Sequence, residues 1–155
     1  LYGPSVPANV DDQPASRAKP RSGPLDGEGR RSLYIEMRRN YLSSFLRAFD
    51  LPNATEPVGN RNVTNVPAQS LALLNDRFVH DQSERWAKRI LSGGNSTEGR
   101  IRTLHRQAFG REATAGEITW AQNALAELGE GRESEQAWAA LCHLMINRKE
   151  FVYVF

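Results

Sequence analysis

The chain has 155 residues, 39% of them apolar, with 20 Lys plus Arg against 18 Asp plus Glu and a single cysteine. That length is enough for one ordinary domain burying roughly 70% of its unfolded surface without covalent staples. One cysteine excludes an intramolecular disulfide framework, a Cys-rich zinc site and a Cys-x-x-Cys-His haem attachment, and a net charge of +2 argues against the broad positive field of a nucleic-acid-binding surface.

All eight prolines fall within the first 67 residues, which divides the chain into an irregular front and a helical remainder. Residues 1–29 hold five prolines and four glycines with almost no apolar periodicity, and so read as an extended leader. Asp26-Gly27-Glu28-Gly29 reads as a turn. Leu33, Ile35 and Met37 alternate, which predicts a short extended piece at 32–37. Leu42, Phe45, Leu46 and Phe49 then recur at helical spacing, predicting a helix at about 40–48; a single helix from 31 to 48 is the competing reading. Residues 50–66 form a loop stiffened by Pro52 and Pro57.

Pro67 stands where a first helical residue is wanted. Leu71, Leu74, Phe78, Trp86 and Ile90 mark one face of a long helical stretch with a candidate break at Asn75-Asp76, and Ser92-Gly93-Gly94 ends it. Ile101, Leu104, Ala108 and Phe109 carry the next helix, with Gly110 as its C-cap. Thr114-Ala-Gly-Glu117 has the spacing of a capping box, followed by Ile118, Ala121, Leu125 and Leu128. A last helix runs from about Glu133 to Ile146 with Ala137, Trp138, Leu141, Leu144 and Met145 inward, and Phe151–Phe155 is expected to pack back. The fold class is therefore all-α, an irregular bundle of about four to five helices behind an extended proline-rich segment. No apolar run approaches the roughly 20 residues of a membrane span.

Each of the three long helices carries one tryptophan: Trp86, Trp120 and Trp138. Aromatics at helical spacing read as core; Trp120 is off the Ile118–Leu125 stripe and points to a second contact surface. The sequence shows no catalytic constellation. His80 and Glu84 have the i, i+4 spacing of two metal ligands, but no third ligand is apparent, so His80 beside Asp81 reads as a solvated helix face and no metal site is assigned. Cys142 and His143 diverge by about 100° on a helix, a poor nucleophile–base pair; a buried thiol beside a partly exposed imidazole is the simpler reading. Asn53-Ala-Thr55, Asn62-Val-Thr64 and Asn95-Ser-Thr97 match the glycosylation sequon, a tripeptide common by chance.

Polar residues set in apolar surroundings are the candidate site. Arg61, Thr64, Gln69 and Asn75 bracket the start of the longest helical stretch, and Arg111, Asn147 and Glu150 raise the same question. As a structural cluster, Gln69 and Asn75 would be buried hydrogen-bonding groups tying the 50–66 loop to the bundle, and Arg61 would pair with Asp50. As a ligand site, Arg61, Gln69, Asn75 and Arg111 would be the contacts.

The same residues carry a resemblance. Arg30-Arg31-Ser32-Leu33-Tyr34, Phe49-Asp50-Leu51-Pro52, Arg61-Asn-Val-Thr64 and Val66-Pro67-Ala-Gln69-Ser-Leu71-Ala-Leu73-Leu-Asn75 are followed by Phe109-Gly-Arg111-Glu-Ala-Thr114-Ala-Gly-Glu117. Trp138-Ala-Ala-Leu-Cys142-His143-Leu-Met-Ile-Asn147 and Glu150-Phe151-Val-Tyr153-Val154 complete the set. Together they resemble domain of unknown function 1553, the C-terminal domain of large planctomycete proteins that also carry a cytochrome-c-like domain. Val58, where the resemblance suggests a cysteine, removes any redox or ligand role at that point; Ser70 and Ala113 are smaller departures, in packing or capping.

The resemblance implies an exported, periplasmic protein. It implies haem only for an upstream domain, with no cofactor in this fragment, and it supplies no catalytic residue. The chain begins at Leu1 and reads as a C-terminal piece of a longer protein, with residues 1–29 as leader and 30–155 as the helical domain. Two functions follow as expectations. One is a non-catalytic docking module whose partner is the upstream part of the parent chain, another exported protein or a glycan. The other is a portion of an exported redox or polysaccharide-processing enzyme whose active site is completed upstream.

Overall fold

A computed structural model of the chain describes residues 4–11, 21–38, 40–52, 59, 66–128 and 134–153. The described residues form seven α-helices: α1 Ser44–Ala48, α2 Val66–Asn75, α3 Arg77–Leu91, α4 Thr97–Phe109, α5 Ala115–Leu128, α6 Glu135–Ile146 and α7 Lys149–Val152. The protein is all-α. The one β pairing among the described residues is an isolated parallel bridge between Val6 and Ile35. The chain divides into two compact units, Leu1–Ala72 and Leu73–Phe155.

In the first unit residues 4–10 of the leader are irregular chain without helix, yet they have a periodicity too short for the sequence to signal. Val6, Ala8 and Val10 are buried while Pro7 is exposed, the period of two that an extended chain imposes. The Val6 amide donates to the Tyr34 carbonyl (2.9 Å) and the Glu36 amide to the Val6 carbonyl (2.7 Å). The Gly23 amide donates to Ala8 O (2.9 Å), and the Val10 amide to Ser22 Oγ (3.0 Å). Gly23 lies so close to Pro7 that a Cβ there would overlap the Pro7 carbonyl.

The expected turn at 26–29 is a 3₁₀ turn in which Gly27, Glu28 and Gly29 all have positive φ. The extended piece expected at 32–37 is seen only in part: Ser32–Tyr34 is a second 3₁₀ turn with Leu33 81% exposed, and the chain becomes extended at Ile35, where it bridges to Val6. Helix α1 is half the expected length because the Ser43 side chain accepts from the Leu46 amide (3.3 Å) and sets the start of the helix there.

In the second unit Asp76 breaks the long helical stretch. Its backbone is extended and its carboxylate accepts from the Phe78 amide at 2.8 Å, capping α3. Because the phase of the helix is interrupted, the stripe read across it does not hold. Leu71 and Leu74 are exposed at 60% and 50%, and Leu73 and Val79 are the inward residues instead. Helix α3 buries Val79, Ser83, Trp86, Ala87 and Ile90, and its most extensive partner is α6, which buries Ala137, Trp138, Leu141, Cys142, Met145 and Ile146. Leu144, expected inward, is exposed, whereas Cys142, read as a buried thiol, is buried as expected.

Local stop and start signals are observed where the sequence puts them. Gly110 closes α4 in the left-handed conformation, φ 69°, a region that costs a residue with a Cβ. Before α5 the Thr114 amide donates to Glu117 Oε2 (2.9 Å) and the Glu117 amide to Thr114 Oγ1 (3.3 Å), the reciprocal capping box. Helix α5 buries Ile118, Ala121 and Leu125; Leu128, expected on that stripe, is exposed. Phe151 and Tyr153 are also exposed, while Val154 and Phe155 lie outside the described residues.

Candidate functional site

Two polar clusters are built in the second unit. The first is at the corner between α4 and α5. Arg111 follows the α4 cap, so its guanidinium is aimed at the start of α5 and at α7. Its Nη1 and Nη2 donate to the two oxygens of Glu117 (2.9 and 2.7 Å), and its Nε and Nη2 donate to the two oxygens of Glu150 (2.6 and 2.8 Å). A third acceptor, the Glu112 carbonyl, takes Nη1 at 3.1 Å. Arg148 adds a second cation 3.5 Å from Glu117. Both guanidinium groups lie against the Phe109 ring, 5.6 and 5.5 Å from its centroid, within cation–π range.

Two carboxylates and two guanidinium groups thus balance in charge. The Arg111 hydrogen bonds hold Glu117 and Glu150 below the ordinary carboxyl range and push Arg111 further up. Glu117 therefore serves two structures at once, capping α5 through Thr114 and clamping Arg111. A carboxylate held ionised by paired donors is a poor proton donor, and a guanidinium saturated by two carboxylates has few donors to offer a ligand.

The second cluster is where α2 ends. The imidazoles of His80 on α3 and His143 on α6 lie 4.3 Å apart, centroid to centroid, tilted by 39°. His143 Nε2 donates to the Leu73 carbonyl (3.0 Å) and His80 Nε2 to the Leu74 carbonyl (3.1 Å); a carbonyl only accepts, so the hydrogen is on Nε2 in both rings. Asn147 Nδ2 also reaches Leu73 O (3.5 Å) and donates to His143 O (2.9 Å). These groups satisfy carbonyls that the last turn of a helix leaves without intrahelical partners.

The sequence-derived candidates fare differently. Arg61 and Thr64 lie outside the described residues. Gln69 is half-buried on α2. Asn75, expected buried, is the last residue of α2 and is exposed, because the helix ends there and Asp76 turns the chain away. Arg111 meets Glu150, a partner from the far end of the chain, and Asn147 caps α2. His80, read from the sequence as part of a solvated helix face, is exposed, but the sequence does not place it beside His143. Nothing in the spacing of two residues on different helices encodes that pairing.

Two buried groups complete the inventory. His105 is fully buried; its Nδ1 donates to the Ile101 carbonyl (3.0 Å) and its ring meets Phe109 edge-on at 5.6 Å. Cys142 is buried and reduced, and burial pushes its thiol up to about 12, which leaves it without thiolate at neutral pH. Among the described residues no group of three or more His, Cys, Asp or Glu side chains is arranged to hold a metal ion, and no helix is long and apolar enough to cross a membrane.

The family model described as PSD1, protein of unknown function (DUF1553), matches residues 1–125. The chain belongs to the DUF1553 family. Neither a curated protein nor a solved structure matches it. The matched span of this DUF1553 chain takes in His80, Arg111, Glu117 and α5 as far as Leu125, and stops before α6 and α7. Each polar cluster therefore joins residues of the matched span to residues beyond it: Arg111 to Glu150, and His80 to His143.

Proposed function

We propose that this DUF1553 chain is a non-catalytic helical interaction module that docks on the upstream domains of its own parent chain. That parent chain is proposed to be exported and to carry a cytochrome-c-like domain, as the family resemblance implies. The observation that supports docking is the outward side of α5. Ile118, Ala121 and Leu125 are buried on one side of this helix, while Trp120, Ala124 and Leu128 recur at i, i+4 and i+8 on another, with Trp120 and Leu128 each 45% exposed. A helix with two apolar stripes has one more than its own core requires, and a half-exposed tryptophan is the residue type most enriched in binding hot spots.

The enzymatic alternative would use Arg111 as a ligand contact. Its guanidinium is already clamped by two carboxylates in both bidentate directions, which favours a structural role.

Titration calorimetry of this chain against the separately expressed remainder of the parent chain tests the proposal. Micromolar or tighter association, weakened about tenfold or more by Trp120→Ala, is the expected result. Absence of association at high concentration, or association indifferent to Trp120→Ala, would overturn docking through α5. Turnover by the complete protein that is lost in an Arg111→Ala variant of unchanged melting temperature would favour the enzyme.

A further inference from the structure

We propose that His80 and His143 form a two-imidazole binding site for a borderline divalent transition-metal ion, with Cu²⁺ the preferred member of the Cu²⁺, Ni²⁺ and Zn²⁺ class. The capping of α2 accounts for one nitrogen of each ring and leaves the other unexplained. Both Nε2–H groups are committed to the adjacent carbonyls of Leu74 and Leu73, so in each neutral ring Nδ1 carries an in-plane lone pair. Among the described residues neither Nδ1 has a hydrogen-bond partner.

An imidazole that donates one N–H to a backbone carbonyl while presenting the other nitrogen is the arrangement that orients histidine ligands around metals. Here it occurs twice, on two helices of the same unit. An ion about 2.0–2.1 Å from a ring nitrogen lies roughly 3.2 Å from that ring's centroid, so rings whose centroids are 4.3 Å apart are close enough for both to reach one ion. Half-exposed His143 and exposed His80 leave the ion open to solvent, so water fills its remaining positions. His105 cannot compete: it is fully buried and its Nδ1 is engaged by Ile101 O.

Two neutral nitrogen ligands and no carboxylate select imidazole-preferring ions over Mg²⁺ and Ca²⁺, and the divalent affinity series puts Cu²⁺ first. The inference does not depend on the docking proposal, since it concerns a different pair of helices and a different readout.

The experiment is titration of the intact chain with Cu²⁺ at neutral pH, followed by electron paramagnetic resonance. His80→Gln and His143→Gln are the test variants, because a glutamine Nε2 can still donate to the α2 carbonyls yet offers no imidazole lone pair. The double variant supplies the baseline for binding elsewhere. We expect one ion above that baseline, with superhyperfine structure from two imidazole nitrogens, and a loss of affinity of about tenfold or more in either single variant. A signal from one imidazole nitrogen, no binding above baseline, or full affinity in either single variant would overturn the site. The nitrogen count is read on the unmodified chain, so it decides even if a variant folds poorly.

Discussion

Arg111 shows how one side chain is made indispensable by its neighbours. It joins the cap of α5 to α7 through Glu117, which is 16% exposed, and Glu150, while remaining 38% exposed itself. Solvent screening moderates the attraction, but truncation leaves the half-buried Glu117 carboxylate with only the Thr114 donors and the more distant Arg148. Arg111→Ala is therefore expected to destabilise the chain by about 1–3 kcal/mol in urea denaturation, and Arg111→Lys to recover little, since an ammonium cannot hold two carboxylates in bidentate fashion.

The acid response follows from the same cluster. Glu117 and Glu150 are held below their ordinary range, so their contribution is present above the unfolded-state value of about 4.3 and is lost as pH falls through the lower folded values. Stability should be level from pH 7 to about 5 and decline below about 4, and Glu117→Gln should make that decline shallower. An unchanged acid limb in Glu117→Gln would mean that other carboxylates control it.

At the scale of the element, the helices begin and end where short-range chemistry dictates. Gly110, Thr114 with Glu117, and the Ser92-Gly93-Gly94 stop were legible because each signal acts within a turn of its own position. Gly110→Ala should cost about 1 kcal/mol through its left-handed φ, and Thr114→Ala a similar amount through the lost cap, both measurable as shifts in the denaturation midpoint. The errors have local causes as well. Leu71 and Leu74 fall on a stripe that Asp76 interrupts, and on α6 Leu144 lies just outside a buried face whose other expected members are in place. In the leader, prolines masked a three-residue alternation, Val6, Ala8 and Val10, too short to register as a pattern. What no helix-by-helix reading supplies is pairing between helices, and both polar clusters are made of such pairs.

At the scale of the whole molecule, the tryptophans separate folding from recognition. Trp138 is completely buried and Trp120 is not. Trp138→Ala should cost about 3–5 kcal/mol and unfold much of the population, whereas Trp120→Ala should leave the thermal midpoint nearly unchanged, within about 0.5 kcal/mol. Thermal denaturation of the two variants side by side gives that comparison, and equal losses would put Trp120 in the core. The all-α class and the family were both legible in the sequence, one from periodicity and one from ordered motifs. The candidate site was legible only in part: Arg111, Asn147 and Glu150 were singled out as polar residues in need of partners, but their partners come from the fold.

The lone thiol of Cys142, shut between α3 and α6, gives the helical unit a built-in clock. An alkylating reagent added to the native protein has a single sulfur to find, and it finds it only when α6 separates from its neighbours. The rate of labelling, set against that of the unfolded chain, measures how often the unit opens under conditions where no denaturant has been added and where less than one molecule in thousands is open at any instant.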